Sequence, residues 1–174
     1  GSQNYGSSFL PAIYQGTRIG SEGARIGAAR SGMDTEAKVA NIANSKLSAG
    51  GQRAQLDFLQ TLNRERLVQD EVNPQVEGVI ESYELAFRMQ SEVPRVMDLN
   101  QETAATKAMY GIGEDGSDRY GKQCLLARRM VEAGVRFVEV GSGGWDQHRD
   151  LKSDHGRNAE SVDKPIAGLL ADLK

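Results

Sequence analysis

Segment 118–140 constrains the fold more than any other part of the sequence. Apolar residues recur at helical spacing from about Asp118, and Gly134 supplies the left-handed residue that commonly ends a helix. The β-branched hexapeptide Val135–Val140 follows directly and predicts a short strand. Because a helix, a tight turn and a strand make up half of a βαβ unit, partner strands are expected. We therefore predict an α/β fold that is mostly helical in this chain, with one clear strand at 135–140.

The glycine-rich loop Gly141–His148 follows the predicted strand and is the main candidate site. Ligands of open α/β sheets bind beyond the carboxyl ends of strands. In an extended loop Asp146 and His148 point the same way, and a carboxylate oxygen with an imidazole nitrogen suits a divalent ion. Both residues are predicted metal ligands, and the ion is left open among Zn²⁺, Ca²⁺, Mg²⁺ and Mn²⁺. The alternative is a surface turn in which Asp146 caps a backbone N–H.

Two nearby residues are candidate substrate contacts. Trp145 would form a wall of the pocket, and His155 would touch the substrate or a metal ligand. The alternatives are ordinary packing for the tryptophan and a solvated position near the start of the last helix for the histidine. Of the other reactive groups, Cys124 is predicted to be a buried, inert thiol, and Arg128 with Arg129 to lie on a solvated helix face.

The chain divides into three predicted parts. Residues 1–51, with nine glycines, are expected to form an extended, loop-rich segment with one helical turn near 35–43. Residues 52–109 are expected to form a helical cap or insertion, in which a helix over 52–69 and one from Pro74, with a buried apolar face, make an αα-hairpin. Residues 110–174 are expected to form a partial α/β core of helix, strand, metal loop and a last helix from Val162.

Composition and charge exclude several classes of protein. The 174 residues carry 21 Lys and Arg against 24 Asp and Glu, whereas a generic nucleic-acid binder needs a clustered positive surface. No run of 18 apolar residues occurs, so no membrane span is expected. The single cysteine excludes an internal disulfide framework and a multi-cysteine zinc site. The sequence has no initiating Met and no signal peptide at its start, and we expect an internal fragment of a longer protein.

Six segments occur in the order found in a large bacterial family. Together they resemble the family called domain of unknown function 1501, and the ordered set is specific although each piece alone is not. The segments are NYGSSFLPAIYQGT (4–17), QRAQLDFLQTLN (52–63), ESYELAFRMQ (81–90), YGKQCLLARRMVEAGVRFVEV (120–140), GGWDQH (143–148) and DKPIAGLLADLK (163–174). The resemblance covers essentially the whole chain.

The resemblance implies a fold and a chemistry. It implies membership of the alkaline-phosphatase and sulfatase-like superfamily, whose fold is an α/β sandwich with a central mixed sheet. That superfamily uses divalent metals, held by Asp and His, to polarise an ester and activate a nucleophile. Asp146 and His148 occupy the family's W-D-x-H motif. The nucleophile of the superfamily normally follows the first strand, which here would lie before Asn4, so the catalytic residue is left unassigned.

Three functions follow as hypotheses. The first is a piece of a metal-dependent hydrolase of phosphate or sulfate esters, acting on a small molecule or a polysaccharide. The second is a non-catalytic envelope or surface protein that reuses the fold for binding. The third is a helical interaction module over 52–133. The resemblance implies export, to the periplasm or beyond, and a cytoplasmic location also fits a chain without disulfides.

Overall fold

The computed structural model describes residues 44–67 and 74–174, together with the isolated positions 16, 17, 19, 39 and 42. Helices account for 68% of the described residues, and no strand occurs among them. The predicted α/β fold with a strand at 135–140 is therefore wrong for this part of the chain. The loop-rich segment predicted over 1–51 lies almost wholly outside the described residues. The helices are α1 (Ala49–Leu67), α2 (Pro74–Met97), α3 (Ala104–Met109), α4 (Asp118–Glu132) and α5 (Leu151–Asp172), and a short 3-10 helix at Leu99–Gln101 lies between α2 and α3.

The chain forms two compact units, and the first contains α1 and α2 as far as Pro94. Polar side chains join the two helices. Arg53 donates to both carboxylate oxygens of Glu84 at 2.5 and 2.8 Å, and Gln60 donates to the same carboxylate at 2.6 Å. Gln90 donates to Gln52 at 2.8 Å, so residue numbers fall along α2 as they rise along α1. This antiparallel pairing is the arrangement that the αα-hairpin prediction requires.

The apolar face predicted to be buried on α2 is largely exposed in the structure. Tyr83 is 53% exposed, and Val76 and Val79 are exposed as well. On α1 the stripe residues Phe58 and Leu62 are also exposed. The periodicity correctly predicted helices. The contacts described between α1 and α2 are hydrogen bonds of charged and amide groups, together with the Arg53 guanidinium 5.4 Å from the centroid of the Phe87 ring.

The second unit, Arg95–Lys174, contains the described hydrophobic core. Tyr110, Cys124 and Leu125 are almost fully buried, and the partly buried side chains of Val140 and Leu169 pack against them. Residues from α4 and α5 and from the end of α3 thus meet around one aromatic side chain. The predicted burial of Cys124 is confirmed, and burial raises the pKa of its thiol to about 11.

Glycines allow α5 and α4 to approach the turn after α3 closely. A Cβ atom at Gly168 on α5 would lie 2.7 Å from the carbonyl oxygen of Met109, and one at Gly121 on α4 would overlap the carbonyl oxygen of Tyr110. Real Cβ atoms do not occur at such separations from backbone. These two positions therefore fix how near the helices lie to the turn at Tyr110.

Segment 135–149 is neither helical nor paired with a neighbouring segment of the described chain. Only the N–H of Val135 donates to a backbone carbonyl, that of Met130 at 2.9 Å, and residues 136–149 form no backbone–backbone hydrogen bond with any described residue. Phe137 is 92% exposed. The strand prediction failed because β propensity measures how well side chains fit a paired, half-buried sheet, and the described chain provides no neighbour for one. The predicted end of the preceding helix is confirmed, since Gly134 has φ +95°.

The predicted solvated face at Arg128 and Arg129 is also wrong. Both guanidinium groups bond to Glu102, at 2.6 and 2.5 Å, and the Glu102 side chain is only 10% exposed. Arg129 also donates to the carbonyl oxygens of Arg95 and Val96, at the last turn of α2. The arginine pair therefore joins α4 to the end of α2 and to the turn before α3.

Candidate functional site

The predicted metal-ligand pair lies on an exposed loop between α4 and α5. Oδ2 of Asp146 and Nε2 of His148 are 3.2 Å apart. The two side chains are 90% and 83% exposed. Within the part of the chain that the structure describes, neither side chain bonds to any other group. The i, i+2 spacing thus brings an acidic and an imidazole group together at the protein surface.

This separation fits two ligands of one ion. For metal–ligand bonds of about 2.0–2.2 Å, ligand–metal–ligand angles between octahedral and tetrahedral values place the two donor atoms roughly 3 Å apart. A carboxylate oxygen and an imidazole nitrogen are both ligands that zinc takes in proteins. The same distance also suits a direct ion pair when His148 is protonated. Metal ligation by Asp146 and His148 stays a prediction.

The structure does not bring a third ligand to the pair. No group of three or more His, Cys, Asp or Glu side chains converges among residues 44–67 and 74–174. A catalytic zinc site ordinarily uses three protein ligands and an open position. If the pair binds a catalytic ion, the remaining donors come from residues outside the described ranges or from a bound molecule.

The loop that carries the pair is fastened to the first turns of α5. The carbonyl oxygen of Gly144 accepts a hydrogen bond from Nε2 of Gln147 at 2.5 Å and another from the amide of Asn158. Gly144 has φ +89°, a conformation that side-chain-bearing residues rarely adopt. The loop enters α5 through Asp150, whose φ of 48° is also left-handed and is tolerated by aspartate better than by most residues.

The two predicted substrate contacts touch each other. The rings of Trp145 and His155 meet edge to face, with centroids 5.2 Å apart and an interplanar angle of 77°. Nδ1 of His155 lies 3.4 Å from Oε1 of Gln147. His155 therefore contacts the residues on both sides of Asp146. Whether either ring also contacts a substrate stays a prediction.

A shallow depression of about 570 Å³ lies beside this loop, at the start of α5. Its lining includes Asp150, Lys152, Ser153 and Arg157. The depression does not include Asp146 or His148. The metal-ligand pair thus projects from the surface instead of facing an enclosed cavity formed by the described residues.

Sequence reasoning missed Asn158 as part of this site. Its amide reaches a carbonyl fourteen positions earlier, a contact that no local pattern predicts. One signal was present, because His155 and Asn158 are spaced i, i+3 and so share a face of α5.

The described chain is thus a helical protein with an Asp-x-His pair on a glycine-rich loop. A family model described as "Protein of unknown function (DUF1501)" matches residues 1–174, and the chain belongs to this family. Comparison with curated proteins and with solved structures found no match. None of the described helices combines the length and the apolar character needed to cross a bilayer.

Proposed function

We propose that this chain is part of a metal-dependent hydrolase of phosphate or sulfate esters, and that Asp146 and His148 hold its divalent cation. The observation that carries the proposal is the 3.2 Å approach of Oδ2 and Nε2 on a loop with no competing partner among the described groups. The resemblance supports it, because Asp146 and His148 occupy the W-D-x-H motif of the domain of unknown function 1501 family, and the sulfatase-like superfamily to which the resemblance points holds its metals with Asp and His. The substrate is proposed to be a small-molecule or polysaccharide ester, and the protein to be exported.

The bound ion would polarise an ester oxygen and stabilise negative charge that develops on it. Asp146 and His148 would supply one hard oxygen and one neutral imidazole nitrogen to that ion. Their exposure leaves room for an anionic ester to approach from solvent. Arg149 and Lys152, both exposed and close in sequence to His148, would raise the local concentration of such an anion.

The test is metal binding and ester hydrolysis by the intact protein and its variants. Asp146→Ala and His148→Ala are each expected to lower Zn²⁺ or Mn²⁺ affinity at least about tenfold and to abolish metal-stimulated hydrolysis of aryl phosphates or sulfates. Asp115→Ala is the matched control, because it removes an exposed carboxylate from the loop before α4. Unchanged metal affinity in both site variants would contradict the proposal.

A second function is favoured by one feature of the geometry. The pair is more than four-fifths exposed and faces no enclosed cavity in the described part of the chain, which suits a metal-dependent binding surface as well as a catalytic site. A non-catalytic envelope protein would show metal affinity that depends on Asp146 and His148 but no ester hydrolysis. Metal binding without turnover would therefore select this alternative.

A further inference from the structure

We infer that Asn158 and Gln147 are positioning residues for the Asp146–His148 pair, an inference that rests on the proposed function. Both amide side chains donate to the carbonyl oxygen of Gly144, two residues before Asp146. Neither amide touches the pair itself. They act by fixing the backbone from which the two ligands project.

The exposed pair depends on its backbone for its geometry. Asp146 and His148 are bonded to each other and to no further described group, so packing does not hold their side chains in place. The backbone between them is equally unsupported by main-chain hydrogen bonds, because residues 136–149 donate and accept none among themselves or with other described backbone. Side chains from the loop and from α5 therefore supply the order that this segment has.

Two residues of α5 contact the loop on both sides of Asp146. Asn158 holds the loop at Gly144, and His155 contacts both Trp145 and Gln147. Gln147 completes the arrangement, because its amide donates back to Gly144 while its oxygen faces His155. The turn 144–147 is thus closed on itself and attached to a rigid helix, which pre-orients the two ligands before any ion arrives.

Removal of these ties should weaken metal binding without removing a ligand. Substitution of residues that orient metal ligands typically lowers the metal affinity by about 10–100-fold. Asn158→Leu keeps the side-chain size and removes the donor, and we expect the Zn²⁺ dissociation constant to rise by about tenfold or more. Asn158→Gln retains an amide and should recover part of this loss. Gln147→Leu, a loop substitution outside the core, should act in the same direction.

The measurement uses Trp145, the single tryptophan of the chain, as its reporter. Zn²⁺ is titrated into the intact protein while the emission of Trp145 is recorded, and the emission and its anisotropy are also compared without metal. Loss of a tie should lower the anisotropy of the metal-free loop and shift the Zn²⁺ titration to higher concentration. Ser161→Ala is the matched control, because it removes a side-chain hydrogen bond of α5 that does not reach the loop.

The outcomes separate this inference from the proposed function. If the wild-type protein binds Zn²⁺ and Asp146→Ala abolishes binding, while Asn158→Leu and Gln147→Leu bind as tightly as Ser161→Ala, the positioning role is refuted and the metal site stands. If Zn²⁺ binding is absent from the wild-type protein or survives in Asp146→Ala, the proposed function is refuted, and the positioning role with it. If Asn158→Leu and Gln147→Leu bind Zn²⁺ more weakly than Ser161→Ala, and Asn158→Gln recovers part of the affinity, the result supports both the metal site and the positioning role.

Discussion

Glu102, which lies just before α3 in the chain, is the shared partner of two arginines on α4. Its nearly buried carboxylate bonds to Arg128 and Arg129 on α4, while Arg129 also reaches the last carbonyl groups of α2. Burial by itself raises the pKa of the Glu102 carboxyl, but the hydrogen bond from Arg129 and the charge of Arg128 outweigh it and hold this pKa below its ordinary value. The folded state therefore binds fewer protons at this site than the unfolded state in the acid range.

This shift predicts a pH-dependent contribution to stability. The contribution is fully present above the ordinary carboxyl pKa of about 4.3 and is lost as the pH falls through the lowered pKa of the folded protein. Glu102→Gln should reduce the free energy of unfolding at neutral pH by about 1.5–3 kcal/mol, because a charged partner of two arginines is lost. The difference from wild type should shrink in strongly acidic solution.

Urea unfolding at pH 7 and at several acidic pH values measures this effect. Glu132→Gln is the control, because Glu132 also pairs with Arg128 but is 59% exposed and 3.4 Å away. The control should change stability by less than about 1 kcal/mol. Equal effects of the two substitutions at neutral pH would contradict the assigned role of Glu102.

At the residue scale, contacts between side chains close in sequence could be predicted, and contacts between distant positions could not. The Asp146 and His148 side chains could be placed together because only Gln147 lies between them, and alternate residues of an extended chain point the same way. The partnership of Glu102 with Arg129 spans 27 positions, so helical spacing indicated only a solvated arginine pair. The tie from Asn158 to Gly144 was hidden for the same reason.

At the scale of elements, α5 is the helix on which the candidate site is assembled. Its first turns hold the loop through His155 and Asn158, and its last turns pack near the core through Gly168. Sequence periodicity located its C-terminal half, but the helix begins at Leu151, well before the predicted Val162. The earlier half was missed because its apolar positions are few, so the 3.6-residue pattern is weak there.

Substitution of two glycines of α5 by alanine is expected to change the free energy of unfolding in opposite directions. Gly168→Ala should destabilise the second unit by about 1–3 kcal/mol, because the new methyl group would lie 2.7 Å from the carbonyl oxygen of Met109. Gly156→Ala should instead stabilise it by about 0.5–1 kcal/mol, since nothing lies within 4 Å of the added Cβ and alanine favours a helix interior. Thermal unfolding followed by circular dichroism compares the two variants.

The pair of variants also tests the packing described for α5. If both variants are less stable than the wild-type protein, the higher helix propensity of alanine does not determine the effect at Gly156. A neutral Gly168→Ala would show that α5 does not approach the turn at Tyr110 as closely as the structure places it.

At the scale of the whole molecule, the described chain is helical and forms two compact units. The helices of both units were largely predictable, because apolar spacing, the proline at the start of α2 and the glycine after α4 are local signals. The fold class was not predictable in the same way, since a strand exists only when a second segment pairs with it. The family model matches all 174 residues, and its description assigns no function. The metal-dependent chemistry is therefore a proposal.

The proposed function requires that Asp146 and His148 bind one divalent cation together. Anomalous diffraction from crystals of the intact protein grown with Zn²⁺ measures this directly. An anomalous peak is expected at about 2.0–2.2 Å from both Oδ2 of Asp146 and Nε2 of His148. A fully occupied Zn²⁺ peak elsewhere, with the two side chains free of metal, would contradict it.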